Sequence, residues 1–177
     1  RMEVPLKNFF FGLFISTMMI PWTAVMIPQF ILISKMHLYD THLALILLQL
    51  FSSFGIFLLR QFYLGLPNDL MEAARVDGGS NFQIWSRILL PLTKPAMVTV
   101  TVLGFISSWN EYLSALIFLP SNKNYTVSLG VQYWMQMTDE YNLMMAAAAS
   151  TILPIIVLFI ATQKYFVESI ATTGVKG

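Results

Sequence analysis

The chain has 177 residues, of which 56% are hydrophobic and only 11% charged, and its mean hydropathy is +0.67. A soluble domain carries about 25% charge, and charges are costly in hydrocarbon, so this balance excludes an ordinary soluble protein and points to an integral membrane protein. A net charge of +1 offers no basic field for nucleic acid, and the lack of cysteine excludes disulfides and thiolate metal sites.

In chain order, the sequence starts at Arg1 rather than Met. No cleavable signal peptide is read, because the first apolar run begins at Asn8 and continues past a short h-region. Four apolar stretches follow: Phe9 to about Pro28, Leu43 to Phe62, Met97 to Leu119, and Leu143 to Thr162. Each is near the roughly 20 residues that cross a bilayer as a helix. The runs are unbroken rather than alternating, which favours helices over barrel strands. Pro21 and Pro154 are expected to kink their helices. Gln29 to Met36 reads either as an interfacial helix or as a continuation of the first span. His37 and His42 share an outer loop with few carboxylates and do not make a metal site.

Lys and Arg set the orientation. With four spans, the side of the termini and the central loop holds Arg1, Lys7, Arg60, Arg75, Arg87, Lys94, Lys164 and Lys176, whereas the other side holds Lys35 and Lys123. The bias places the central loop and both ends of the chain in the cytoplasm.

The central loop, residues 63–96, is polar between apolar neighbours. Asn68 or Asp69 can cap a first short helix. Gly78-Gly79 ends it, because glycine accepts the left-handed cap. Ser80 and Gln83 match a capping box for a second helix, which Pro91 is expected to close. Thr93 with Pro95 fits the start of the third span. Ala73 and Ala74 keep the first helix thin, so a partner can approach closely. Glu72, Arg75 and Asp77 supply orienting charges. The second helix carries Phe82, Ile84, Trp85, Ile88 and Leu89, which need burial or an interface. From charge pattern alone, the loop reads either as a docking surface or as a solvated turn whose amphipathic helices rest on headgroups.

The third span divides into two arcs at 100° per residue. Thr101, Gly104, Ser107, Ser108, Asn110, Glu111, Ser114 and Ala115 share one arc, suited to close packing or a wet cavity. Val98, Val102, Phe105, Ile106, Trp109, Leu113 and Leu116 share the other, suited to lipid or a greasy neighbour. An ionisable residue inside a span is a functional candidate. Glu111 reads either as a pathway residue that bonds substrate hydroxyls or as an interhelical partner, and Asn110 has the same two readings. Gln49, Ser52 and Ser53 in the second span read as weaker pathway candidates or as polar glue.

The spacing of Glu72-Ala73-Ala74, Gly78 and Ile88-Leu89-Leu90-Pro91 resembles the motif of membrane subunits of binding-protein-dependent ABC importers. The chain further resembles the carbohydrate branch, of the maltose-system type. The resemblance rests on Leu59-Arg60-Gln61-Phe62-Tyr63, on Phe105-Ile106-Ser107-Ser108-Trp109-Asn110-Glu111-Tyr112, and on Tyr165-Phe166-Val167 with Gly174-Val175-Lys176-Gly177. It implies an all-α, polytopic bundle of the type I ABC importer kind, a single permease domain over residues 1–177. Family members have six spans, so it also implies that the first two are absent here.

The resemblance implies the following roles. Glu72, Ala73, Ala74, Asp77 and Gly78 dock on an ABC ATPase dimer, and Val175, Lys176 and Gly177 form a tail reaching that dimer. Apart from the resemblance, the polar positions of the spans make Gln49, Ser107, Asn110, Glu111 and Ser114 the translocation-pathway candidates. The loop from Pro120 to Tyr141 would face an extracytoplasmic sugar-binding protein. A second permease subunit and the lipid bilayer of a bacterial or archaeal inner membrane complete the partners. No P-loop, H-E-x-x-H or G-x-S-x-G is present, so ATP hydrolysis is expected from a separate subunit. The rival reading is a secondary transporter or channel without an ATPase.

Overall fold

A computed structural model describes residues 5–174, with side chains through Tyr165. The described residues are helical, without strands. Two stretches, His42–Gly65 and Tyr141–Tyr165, are long and apolar enough to cross a membrane. Two bent pairs, Lys7–Thr17 with Trp22–Lys35 and Asn81–Leu92 with Lys94–Trp109, bring the number of candidate spans up to four.

The first expected span is broken rather than kinked. Helix α1 (Lys7–Thr17) and helix α2 (Trp22–Lys35) meet at 96°. Pro21 lies ahead of α2 in an extended conformation, where its fixed φ suits a helix start. Gln29 to Met36 therefore continues α2, which carries Pro28 inside it. Helix α1 runs antiparallel to α4 (Ser53–Gly65). Arg60 donates to Asn8 Oδ1 at 3.1 Å and lies 3.8 Å over the Phe11 ring. At the other end the Thr17 and Ser53 hydroxyls are 2.8 Å apart.

The second span is α3 (His42–Gln49) followed by α4, with a break at residues 50–52. Ser52 caps α4 by accepting from the Gly55 N–H at 3.0 Å. A Cβ on Gly55 would sit 3.2 Å from Val100 Cγ1, so glycine lets α4 lie close to helix α7 (Lys94–Trp109).

The third span also departs from expectation. Helix α7 ends at Trp109, and after an irregular turn the short α8 (Leu113–Phe118) continues. Before α7, helix α6 (Asn81–Leu92) runs through Pro91 instead of stopping there. Pro91 lacks an N–H and crowds the carbonyl four residues back, and the helix widens into a π turn over Trp85–Leu89. The capping box at its start is complete, with the Gln83 N–H donating to Ser80 Oγ and the Ser80 N–H to Gln83 Oε1.

Helix α9 (Val127–Met137) occupies much of the expected outer loop, and α10 (Tyr141–Gly174) continues through Pro154. The Trp109 indole donates to the Thr151 carbonyl at 3.0 Å, tying α7 to α10.

The tightest core lies at the end formed by α2, α3, α8 and α9, around Ile33, Ala44, Leu45, Ala115, Phe118 and Leu129. Asp40 fastens it. Its N–H donates to the Phe118 carbonyl at 2.9 Å, its Oδ1 accepts from the Ser121 N–H at 3.2 Å, and its carbonyl accepts from Asn124 at 2.6 Å. Hydrogen bonding from Ser121, opposed by burial but aided by Asn124 and the Lys123 charge, holds the Asp40 carboxyl below its ordinary range.

Candidate functional site

Among the described residues, two places join polar groups to an open surface. The first is the loop between α4 and α7. Helix α5 (Asp69–Val76) starts at Asn68, whose carbonyl accepts from Met71 and Glu72. The Asn68 side chain makes no cap bond to α5, in contrast to the expected side-chain cap. The helix ends in a Schellman arrangement: the Gly79 N–H donates to the Ala74 carbonyl at 2.9 Å and the Gly78 N–H to the Arg75 carbonyl at 3.0 Å. Gly78 takes φ +79° in open space. Gly79 meets a different constraint, because a Cβ there would lie 2.8 Å from the Ala74 carbonyl oxygen.

Met71 and Ile84 are the buried anchors of this loop. Glu72, Ala73, Asp77 and Gly78 are exposed, and Ala74 is half-buried. The same region leaves Val76 88% exposed and Phe82 71% exposed, beside a partly exposed Trp85 whose ring lies 5.7 Å from that of Phe82. Apolar side chains at that exposure, beside charges of both signs, form a surface suited to a protein groove. Val76 was not legible as part of it, because a valine ending a short helix carries no distinctive pattern. The tail Val175, Lys176 and Gly177 lies outside the described residues.

The second place is a cleft of about 440 Å³ between the broken second span and α7. Gln49, Ser108, Glu111 and Thr126 give it polar walls. Leu45, Ile46 and Leu50 give it an apolar side, and Gly104 leaves it open. Glu111 does not ride on a continuous helix as its spacing implied. It sits in the turn between α7 and α8, where its Oε1 accepts from the Ser114 N–H at 2.8 Å and so caps α8.

The arcs of α7 separate as drawn, with their environments now assigned. Thr101, Gly104, Ser107, Ser108 and Asn110 are exposed, whereas Val98, Val102, Phe105, Ile106 and Trp109 are buried or half-buried. The break before α8 removes the last residues from the pattern: Ser114 and Ala115 are buried. The structure thus brings Gln49 and Glu111 together at the cleft. It places Ser114 in the protein interior, and Ser107 and Asn110 outside the cleft lining. Asn110 instead closes α7, with its N–H and its Nδ2 both donating to the Ile106 carbonyl. Thr126 was missed. It is the cap of α9, accepting from the Leu129 N–H at 3.4 Å, and a lone threonine in a loop gives no sign of facing a helix break 15 residues earlier.

A second groove, about 400 Å³, lies between α7 and α10 beside Lys94, Thr101, Thr162 and Tyr165.

Comparison with known proteins places these features in context. The chain is 38% identical over 172 residues to the arabinooligosaccharides transport system permease protein AraQ of Halalkalibacterium halodurans, covering 97% of this chain and 62% of that protein. It is 32% identical over 172 residues to the sn-glycerol-3-phosphate transport system permease protein UgpE of Brucella abortus, covering 96% of this chain and 61% of that protein. The chain thus spans about three fifths of the length of these relatives. Its fold matches a chain of the crystal structure of a bacterial ABC transporter involved in the import of the acidic polysaccharide alginate, with a TM-score of 0.75 and 25% identity over 94% of this chain and 64% of the other. The all-α architecture is thus that of a type I ABC importer permease. Residues 1–172 match one family throughout, and the chain belongs to the binding-protein-dependent transport system inner membrane components.

Proposed function

We propose that this chain is a transmembrane subunit of an ATP-driven sugar importer, which forms part of the translocation pathway and couples ATPase motion to alternating access. The observation that carries this reading is α5: a thin, exposed helix with Glu72, Ala73 and Gly78 on its accessible surface, held between two membrane-crossing segments. An ABC ATPase dimer is the partner for that surface, and it supplies the ATP hydrolysis. Motion imposed on α5 passes through α6 into α7. A second permease and an extracytoplasmic sugar-binding protein complete the assembly; the family's description supports a binding protein and a relative's name supports a sugar. The excess of Lys and Arg beside α5 and the chain ends supports a cytoplasmic position for both, in a multi-pass inner-membrane protein. The coupling segment is residues 63–96.

The test uses the assembled importer. In Glu72→Lys or Gly78→Asp, membrane insertion persists while ATPase co-purification falls at least about tenfold, since reversed or added charge at a docking surface costs several kcal/mol. Normal docking in both variants would overturn the coupling role. A secondary transporter or channel would show unchanged transport in both.

A further inference from the structure

We infer that the cleft between the two helix breaks is a transit subsite for uncharged sugars, in which Glu111 accepts sugar hydroxyls and turns away anionic ones. The proposal rests on the importer reading and adds a substrate class to one site within it.

Three features of the cleft converge. The first is irregular backbone. Residues 50–52 and 110–112 interrupt both walls, with Leu50 and Glu111 lining the space between them. Non-helical backbone at membrane depth persists only where protein covers it or water reaches it. Sixteen residues of α7 put its last residue about 24 Å from the start of that helix, and Glu111 just beyond it, toward the outer face of a membrane core of about 30 Å. The cleft is open in this chain, so water reaches its polar walls wherever no other subunit covers them.

The second feature is the set of polar groups. Gln49 both donates and accepts, as do the hydroxyls of Ser108 and Thr126, and Glu111 accepts. Sugar hydroxyls need this mixture. Among the described residues, no Lys, Arg or His lines the cleft, so a carboxylate or phosphate on a substrate would meet Glu111 without compensation. The nearest basic residue of the α8–α9 loop, Lys123, acts instead on Asp40.

The third is size and access. A volume of about 440 Å³ falls within the about 300–1,000 Å³ of small-molecule sites. The space beside Gly104 is open, since a Cβ there would meet nothing within 4 Å.

That open space supplies the experiment. The chain has no cysteine, so Gly104→Cys introduces a unique thiol on it at a position that tolerates a side chain. Gly12→Cys, on α1 and equally unobstructed, is the remote control. In the purified complex in nanodiscs, alkylation by a neutral water-soluble maleimide is followed with arabinobiose or digalacturonate present at high millimolar concentration. Arabinobiose is expected to slow labelling at position 104 about threefold when present at twice its dissociation constant. Digalacturonate leaves the rate unchanged, and position 12 ignores both sugars. Adding Glu111→Gln, which keeps an oxygen for the Ser114 N–H, lets digalacturonate protect as well. An unreactive thiol at position 104, no protection by arabinobiose, or equal protection by both sugars would overturn the subsite. The readout needs no transport, so its failure is separate from a failure of ATPase docking, which alone would overturn the importer reading.

Discussion

The Tyr63 hydroxyl lies 3.3 Å from the hydroxyl of Thr93, joining the end of α4 to the bend between α6 and α7. Thr93 is completely buried. Its N–H donates to the Leu89 and Leu90 carbonyls, and its Oγ1 donates to the Leu90 carbonyl at 2.9 Å. It stands where the chain turns by 66°, directly after the π turn and Pro91. A stroke arriving along α6 must pass through this residue, and Tyr63 ties the same point to the preceding span.

A double-mutant cycle measures that tie. Tyr63→Phe removes one hydroxyl and is expected to cost about 0.5–1.5 kcal/mol. Thr93→Val keeps the shape but leaves the tyrosine hydroxyl without this partner, and costs about 1–3 kcal/mol. The two together cost less than their sum by about 0.5 kcal/mol or more. Strict additivity in thermal unfolding of the nanodisc-embedded protein would show that the hydroxyls do not interact.

The two glycines after α5 should rank in a way their order in the motif does not suggest. Gly78 needs only a left-handed backbone, and an added methyl meets no atom within 4 Å. Gly78→Ala is expected to cost about 1–2 kcal/mol. Gly79→Ala drives a Cβ to 2.8 Å from the backbone oxygen of Ala74 and 3.4 Å from Ile84 Cγ1. The Schellman turn must then open, at about 1–3 kcal/mol and with a reorientation of α5. Protease sensitivity of the loop between α4 and α7 reads the difference. Greater sensitivity in Gly78→Ala than in Gly79→Ala would contradict the geometry.

These two positions also mark how far the sequence could be read. The caps were legible: Ser80 with Gln83, and the glycine pair, are local patterns whose hydrogen bonds close within a few residues. The two arcs of α7 were legible as well, because they need only helical periodicity. The breaks were not. In a chain where apolar residues run nearly unbroken, a span interrupted at residues 50–52 or 110–112 looks like a continuous one. The sign was present but weak: Ser52 and Glu111 each offer an oxygen to an N–H three residues on. Without the breaks, Glu111 and Gln49 could be named separately but not placed at one cleft, and the burial of Ser114 beyond the second break has no sign in its spacing.

Asp40 gives a pH dependence confined to the end of the molecule built from α2, α3, α8 and α9. Its carboxyl is held below the ordinary carboxylate range by the bonds from Ser121 and Asn124 and by the Lys123 charge. A carboxylate with a depressed folded-state pKa adds stability above its unfolded value, and that contribution is lost as pH falls through the folded one. Acidification from neutral to below the ordinary carboxylate range should therefore loosen residues 118–124 ahead of α1 and α4. Protection factors in that segment, which are exchange rates corrected for the intrinsic slowing of amide exchange in acid, should fall on acidification in the wild type. Asp40→Asn should already exchange faster at neutral pH and respond less to acid. An equal acid response in both proteins would assign the effect to another group.

Gln29 offers a gain in stability. Its Oε1 is buried without a hydrogen-bond partner among the described residues, and it lies one helical turn before Ile33, which is 2% exposed in the core. The two share a face of α2, so the amide oxygen points toward packed side chains rather than toward lipid headgroups. An unsatisfied buried acceptor costs about 1–3 kcal/mol. Gln29→Met keeps the length and helix propensity while removing the polar atoms. It should raise stability by about 1 kcal/mol, measured as a higher midpoint of thermal unfolding in nanodiscs. Gln29→Ala, which leaves a void instead, should not. A drop in the Gln29→Met variant would mean that the amide finds a partner in the membrane-embedded assembly, and the oxygen would then belong to an interface rather than to this chain's interior.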